Sequence, residues 1–386
     1  MRIVIVGSGP AGLRVAERVA PVHSVTLFGE EPDVPYNRVA LSQWLTGDVA
    51  EADIATPCTR HAVHRRAERV VEIDRLRRRV VTASGRVTGY DRLVLATGAD
   101  AVRLPLPGAD LPHVVPYRTR ADVARMLAAA AVGGTAVVIG GGLLGLEAAA
   151  GLARRGMAVT VLHAVGRVMD RQLDHAGAAL LEQRLREQSV AVVTDAKTVE
   201  IDADGVRLSD GRFLPASLVV MAVGIRPRTD LARAAGLEVG RGIVVDARMV
   251  TSDPAILAVG ECAEHDGQCV GLVLPALAQA DTAASTLLLS GRRYRHVADA
   301  AALKVAGAPV WSGGTLDAAG DAASESIVIE DGDATYRRLL IRDGRLVGAV
   351  MVGDVADAAW YHHLIAEAVD IGPLRAALPF GEAYAA

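Results

Sequence analysis

Two stretches of this chain combine residue types and spacing that can hold a phosphate. The first is Gly7-Ser-Gly9-Pro10-Ala11-Gly12, a G-x-G-x-x-G run that lies between the apolar, β-branched Ile3 to Val6 and the segment Leu13 to Ala20. Apolar residues of the first kind predict a buried strand, and Leu13 to Ala20 predicts a helix. The glycines have separate jobs in such a turn. Gly7 permits the sharp strand-to-helix turn, Gly9 lets a pyrophosphate approach the backbone, and Gly12 lets the helix lie close to the strand. The free N–H groups and the positive end of the helix dipole then face the phosphates.

The second stretch repeats the first. Ala136 to Ile139 is apolar, Gly140-Gly141-Gly142-Leu143-Leu144-Gly145 carries the same spacing, and Leu146 to Arg154 predicts a helix. Two dinucleotide folds imply two bound dinucleotides, or a duplicated fold with one site lost; both glycine sets are intact, which favours two sites. The copies differ at the ribose end. Ser24 to Phe28 predicts the second strand of the first copy, and Glu30 stands just after it, 23 residues from Gly7. That is close to the spacing of about 20 expected of an acid that holds ribose hydroxyls. Glu31 reads as a solvated neighbour. In the second copy Ala158 to Leu162 is the strand, and His163 stands 23 residues after Gly140 with no adjacent acid. An acid there repels the extra phosphate of NADP, whereas His163 and Arg167 do not, so both NADH and NADPH stay open. Glu147, just inside the second helix, could reach a nicotinamide, or be a carboxylate stabilised by the helix dipole.

These sites need elements to position them. The sequence predicts strands at Arg92 to Ala96, leading into Ala96-Thr97-Gly98, and at Leu218 to Gly224. A strand ending in Gly260-Glu261 can place a carboxylate on a polyol. Helices are expected from Asp170 to about Gln188 and from Leu274-Pro275 to Ser290. The segment Pro35 to Leu45 begins extended and ends helical. Within it Arg38 is either a charge for a pyrophosphate or partner, or a surface arginine. Residues Thr59 to Arg79 are dense in arginine and histidine, which reads as a solvated basic face or as a docking patch for an acidic redox protein. Arg79 to Thr82 and Gly89 to Leu95 alternate as small antiparallel strands do. Past about residue 299 come strands at Ser326 to Ile329, Thr335 to Ile341 and Leu346 to Val352, then a helix from Asp357 to Val369. That is a small α+β domain.

The bulk numbers limit the function classes. A chain of 386 residues, 51% hydrophobic and 22% charged, should form two or three globular domains. A net charge of −4 argues against nucleic acid as the main partner. Cys58, Cys262 and Cys269 make no disulfide framework, which with the early first strand points to the cytoplasm. Met126 to Leu146 is 21 residues without a charge, but Gly133-Gly134 break it and the phosphate loop explains it, so no membrane span is expected.

Gly7 to Gly12, Ala96-Thr97-Gly98, Gly140 to Glu147, Gly224-Ile-Arg-Pro227 and Thr251 to Glu261, in that order, resemble the two-dinucleotide flavoprotein reductases of the glutathione-reductase fold. Within that group the chain is similar to the FAD/NAD(P)H portion of nitrite reductase large subunits, and next to rubredoxin and ferredoxin reductases. Pro35 to Ser42, Met169 to Asp174, Val259 to Ala263 and Leu303 to Val310 carry that likeness. The resemblance implies an α/β fold with two Rossmann-like domains. An FAD-binding domain would take 1–113 and 240–298, an NAD(P)H-binding domain 114–239, and a C-terminal α+β interface domain 299–386. It implies that Thr97-Gly98 lies along FAD, that Glu261 contacts its ribityl chain and that Ser42 is among the cofactor-binding residues. It also implies a C-terminal domain that covers the flavin and helps form a homodimer. The expected activity is transfer of electrons from NADH or NADPH through FAD to an external carrier such as a ferredoxin or rubredoxin. The alternatives are an oxidase or small-molecule reductase, and a non-enzymatic redox-sensing module. Disulfide-reducing relatives carry reactive cysteine on the segment after the first unit, but Tyr36 to Gly47 has none. Three scattered cysteines cannot ligate an iron–sulfur cluster or sirohaem centre.

Overall fold

The computed structural model describes residues 1–56, 63–296, 300–305, 307–316, 324–332 and 334–385. It divides into two compact units. The first is Met1–Leu41, Val49–Asp100 and Ile225–Val297; the second is Ser42–Asp48, Ala101–Gly224 and Ala298–Ala386. Residues 225–239, expected with the second nucleotide fold, fall in the first unit.

The first unit is built on a parallel sheet in the spatial order Ile256–Ala258, Arg92–Leu95, Arg2–Val6, Ser24–Phe28 and Val63–Arg66. Ile3, Val4 and Ile5 are buried on both faces, as a central parallel strand requires. Helix Pro10–Val19 covers one face and packs along helix Val273–Leu287. Arg14 of the former donates from Nε to Oδ1 of Asp281 of the latter at 2.8 Å, and from a terminal nitrogen to Oδ2 at 3.1 Å. Gly89 to Leu95 is not one antiparallel strand. Val87–Gly89 completes a small antiparallel sheet with Val70–Asp74 and Arg79–Thr82, while Arg92–Leu95 runs parallel beside the first strand. Tyr90, buried between them, separates the two.

The second unit repeats the sheet in the order Val190–Val193, Ala158–Leu162, Thr135–Ile139, Leu218–Met221 and Val114–Pro116, all parallel. The uncharged run from Met126 lies in three elements: the end of helix Arg120–Val132, strand Thr135–Ile139 and the start of helix Leu143–Arg154. Gly133 and Gly134 make the first break, at φ +83° and +108°. Among the described residues no helix is long and apolar enough to cross a membrane. The helix expected from Asp170 starts at His175 and ends at Glu187. Asp174 sets the start, because its Oδ1 accepts the Gly177 N–H at 3.0 Å.

The same unit holds an antiparallel sheet of Ala300–Val305, Ala308–Gly314, Arg345–Val352, Thr335–Arg342 and Ser324–Asp331. Helix Ala358–Ala366 lies against it, around a core of Trp311, Leu339, Met351, Trp360 and Tyr361. The first two strands were not expected, since Gly and Pro interrupt the run from Leu303 to Val310. Asp174 ties this sheet to the nucleotide fold, accepting from Tyr336 Oη at 2.5 Å and from Arg338 at 3.0 Å.

Candidate functional site

The two glycine loops are the same construction. Each follows a central strand at the point where the sheet order reverses, the usual ligand position in such sheets. Gly7 donates its N–H to Phe28 O, and Gly140 donates to Leu162 O, both at 2.8 Å. A Cβ on Gly7 would lie 1.9 Å from Ala96 O; one on Gly140 would lie 2.3 Å from Ala222 O. A Cβ on Gly12 or Gly145 would lie 1.9 Å or 1.8 Å from the carbonyl of the first glycine of its own loop. The outer glycines are therefore closed by the protein. The middle ones are open: a Cβ on Gly9 or Gly142 would meet nothing within 4 Å. The first helical hydrogen bonds run from Leu13 to Gly9 and from Leu146 to Gly142. The N–H groups of Ala11 and Gly12, and of Leu143, Leu144 and Gly145, have no carbonyl four residues earlier within their helix. Pro10 has no N–H to satisfy, and suits the first helical position. Each loop thus offers donors and an open approach, which fits a pyrophosphate.

In the first unit the other expected residues gather near that loop. Gly260, at φ +79°, donates its N–H to the buried Gln279 Oε1 at 2.8 Å. A Cβ on Gly260 would come within 3.2 Å of Ala11 Cβ, so the turn carrying Glu261 lies against the start of helix Pro10–Val19. Gly98, at φ +69°, accepts from the Arg228 N–H at 2.9 Å, and the Thr97 hydroxyl donates to Arg228 O at 2.8 Å. The Arg228 guanidinium bonds Asp100 through Nε at 2.5 Å and also pairs with Glu30. These carboxylates raise the pKa of Arg228 although burial, the largest single effect, opposes it. Arg228 and Gln279 were missed from sequence because their partners are distant in the chain and no motif marks them.

Glu31 is not simply solvated. It accepts from Tyr36 Oη at 2.7 Å and pairs with Arg38, whose guanidinium also donates to Tyr36 Oη at 3.0 Å and lies 5.1 Å from the Tyr36 ring centre. The later arginines are not a free basic face either. Arg65 donates to the carbonyls of Glu31 and Asp33, Arg75 binds Asp253 at 2.8 Å, and Arg77 and Arg79 share Asp74. Cys58, Arg60 and His61 lie outside the described residues.

In the second unit His163 does not stand clear at the strand end. Its Nδ1 accepts the Gly141 N–H at 3.1 Å, and its Nε2 lies 3.3 Å from Asp170 Oδ1. Arg167 donates from Nε to Leu173 O and from a terminal nitrogen to Asp170 O. Gly224, at φ +118°, accepts from the Val102 N–H. Tyr117 of this unit is hydrogen-bonded to Ser42 and feels the charge of Glu147. Burial raises the Tyr117 pKa and the Glu147 carboxylate adds to it, while the Ser42 hydroxyl opposes them.

Cys262 and Cys269 are free. Burial pushes both thiols up, away from the reactive thiolate. Among the described residues no three His, Cys, Asp or Glu side chains converge as a metal site.

Two parallel sheets, each with an open middle glycine at its switch point, define a protein built to take two dinucleotides. Residues 1–286 match the family described as pyridine nucleotide-disulphide oxidoreductase, and residues 300–369 match the rubredoxin NAD+ reductase C-terminal domain. The chain belongs to the pyridine nucleotide-disulphide oxidoreductase family, oxidoreductases that use FAD and NAD(P)H. It is 39% identical to the assimilatory nitrate reductase electron transfer subunit of Bacillus subtilis (strain 168), over 92% of this chain and 48% of that protein. Rubredoxin-NAD(+) reductase of Pseudomonas putida is 34% identical, over 68% of this chain and 72% of its own length. Putidaredoxin reductase, solved as a covalent complex with putidaredoxin, shares the fold with a TM-score of 0.86 and 27% identity, over 97% of this chain and 95% of that one. The chain spans about half the length of the nitrate and nitrite reductase relatives it matches.

Proposed function

We propose that this chain is an FAD-dependent NAD(P)H reductase that passes electrons to an external carrier of the ferredoxin or rubredoxin type, or to a separate nitrite-reductase-like component. The observation that carries this is the pair of loops in which only Gly9 and Gly142 are open to a ligand.

Bound FAD supplies an acceptor for two electrons from NAD(P)H and can release them one at a time. The protein binds and orients. Ala11 and Gly12 direct N–H groups at the FAD pyrophosphate, with Gly9 leaving the space. Glu30 accepts from the adenosine ribose hydroxyls, and Arg228 holds its carboxylate in place against Asp100. Thr97-Gly98 runs along the flavin, and Glu261 meets the polyol. Leu143, Leu144 and Gly145 hold the nicotinamide nucleotide's pyrophosphate in the same way, and Glu147 orients its nicotinamide end. No acid–base triad is needed. The segment Tyr36 to Gly47 has no cysteine, so electrons leave without a disulfide relay. Homologues act with protein acceptors, which supports a protein partner here. A homodimer formed through the C-terminal domain, working in the cytoplasm where NAD(P)H is supplied, completes the reading.

The test is anaerobic mixing of the purified protein with NADH and with NADPH. The expected result is a yellow protein whose flavin absorbance bleaches and returns on adding ferredoxin, rubredoxin or ferricyanide. Gly142→Ala should keep FAD and lose bleaching at the same nucleotide concentration. A colourless protein that takes up no FAD overturns the proposal. Rapid NAD(P)H oxidation with oxygen alone moves it to an oxidase, and light scattering tests the dimer.

A further inference from the structure

An acid at the end of a nucleotide fold's second strand binds the bare ribose of NADH and repels the 2′-phosphate of NADPH. The second fold has no such acid, since Leu162 is followed by His163. The tertiary structure brings one from further along the chain. The segment after His163 turns back over the glycine loop, and the Met169 N–H donates to Gly141 O at 2.8 Å. A Cβ on Gly141 would lie 2.9 Å from His163 Cγ and 3.1 Å from Val168 Cγ1, so ring, turn and loop are in contact. This fold-back puts Asp170 Oδ1 3.3 Å from His163 Nε2. Because Nδ1 accepts the Gly141 N–H, the neutral ring carries its proton on Nε2 and donates it to Asp170. The imidazole is thus fixed on both sides, and the carboxylate stands at the strand end.

Other charges surround this turn. Arg167 is bound along the loop by the carbonyls of Leu173 and Asp170, at 3.1 Å and 2.9 Å. Asp195 adds a second carboxylate: its Oδ2 would lie 3.4 Å from a Cβ on Gly166. Arg171 is exposed beside Asp170, and Lys197 is exposed two residues after Asp195. The Asp170 side chain is 38% exposed and accessible to a ligand, whereas His163 is 14% exposed and held in.

We propose that Asp170, oriented by His163, is the ribose-binding carboxylate of the second fold and selects NADH over NADPH. This rests on the reading of that fold as the NAD(P)H site. The 2′- and 3′-hydroxyls of the NADH ribose donate to Asp170, and a 2′-phosphate meets its negative charge.

Calorimetric titration of the FAD-loaded protein with NAD+ and NADP+ tests the selection without electron transfer. NAD+ should bind about tenfold or more tightly, the scale of one close charge repulsion. Asp170→Asn should narrow that ratio by about tenfold by strengthening NADP+. In ferricyanide assays the same change should appear in the NADPH KM rather than in kcat. A wild-type protein that binds NADP+ as well as NAD+ overturns the proposal, as does an Asn variant with full FAD content and an unchanged ratio. If that variant does not fold, the wild type decides: raising salt should lower the NADPH KM relative to the NADH KM, and an unchanged ratio overturns the proposal. Should neither nucleotide reduce the flavin while NAD+ still binds more tightly than NADP+, the reductase reading falls and the role of Asp170 stands.

Discussion

The glycines of one loop are the same residue type and have opposite surroundings. A methyl group at Gly12 would lie 1.9 Å from Gly7 O, and one at Gly9 would lie near nothing in the protein. Gly9 also has φ −75°, which alanine adopts without strain. Gly12→Ala should therefore destabilise the first unit by about 3 kcal/mol or more through overpacking. Gly9→Ala should change the stability of the flavin-free protein by no more than about 0.5 kcal/mol, and weaken FAD binding by about tenfold or more. Thermal melts with and without FAD check both. The spacing of these glycines was legible in the sequence because the turn is local and its sterics act within six residues. The partners of Glu30 and His163 were not legible. Glu30 is 198 residues from Arg228, and nothing local signals the contact.

At the scale of elements, buried or half-buried carboxylates fix how helices sit. Asp281 joins helix Val273–Leu287 to helix Pro10–Val19. Its hydrogen bond from Arg14, the largest effect, holds its pKa below the ordinary carboxylate value. A depressed folded pKa means that the stabilisation is fully present above the unfolded pKa, near 4, and is lost as pH falls through the folded value. Asp281→Asn should cost about 1 kcal/mol at pH 7, and the gap between wild type and variant should close as pH falls through the depressed folded value. Urea midpoints across that pH range check this. Asp174 has a double role, capping helix His175–Glu187 and holding Tyr336 and Arg338. Asp174→Ala should cost about 2 kcal/mol, from the cap and the lost partners together, and Tyr336→Phe about 1 kcal/mol. Hydrogen exchange on helix His175–Glu187 should rise in the alanine variant and stay nearly unchanged in the phenylalanine one. The sequence placed the helix five residues too early. Apolar spacing continues through Asp170 to Asp174, and only the Asp174 cap, seen with its acceptor geometry, marks the start.

At the scale of the whole molecule, the chain joins a duplicated nucleotide fold to a C-terminal antiparallel sheet, and burial pushes both described thiols, Cys262 and Cys269, up. Cys262 is fully buried and burial pushes its thiol up, so it cannot serve as a thiolate near neutral pH. In a Cys58→Ser background, reduction by NADH should give no long-wavelength thiolate–flavin band. Iodoacetamide treatment of the native holoenzyme should change turnover with ferricyanide by less than about twofold. A band, or a large loss on alkylation, would place a working thiol beside the flavin. The basic run around Arg65 to Arg79 is exposed at Arg66, Arg69, Arg77 and Arg78, as a solvated face is. Composition did not show that Asp74, Asp253 and backbone carbonyls pair with Arg65, Arg75, Arg77 and Arg79.

The two strand–glycine–helix units, their order and the class of ligand they hold are legible in the residues, because each is a steric and electrostatic solution complete within about 30 residues. Which charges gather beside the glycine loops is a matter of the fold. Arg228 reaches Glu30 and Asp100, and Asp170 reaches the strand end, only because turns and parallel crossovers bring distant residues to one edge of a sheet. Side chains carry no mark of a partner that the chain has yet to fold against.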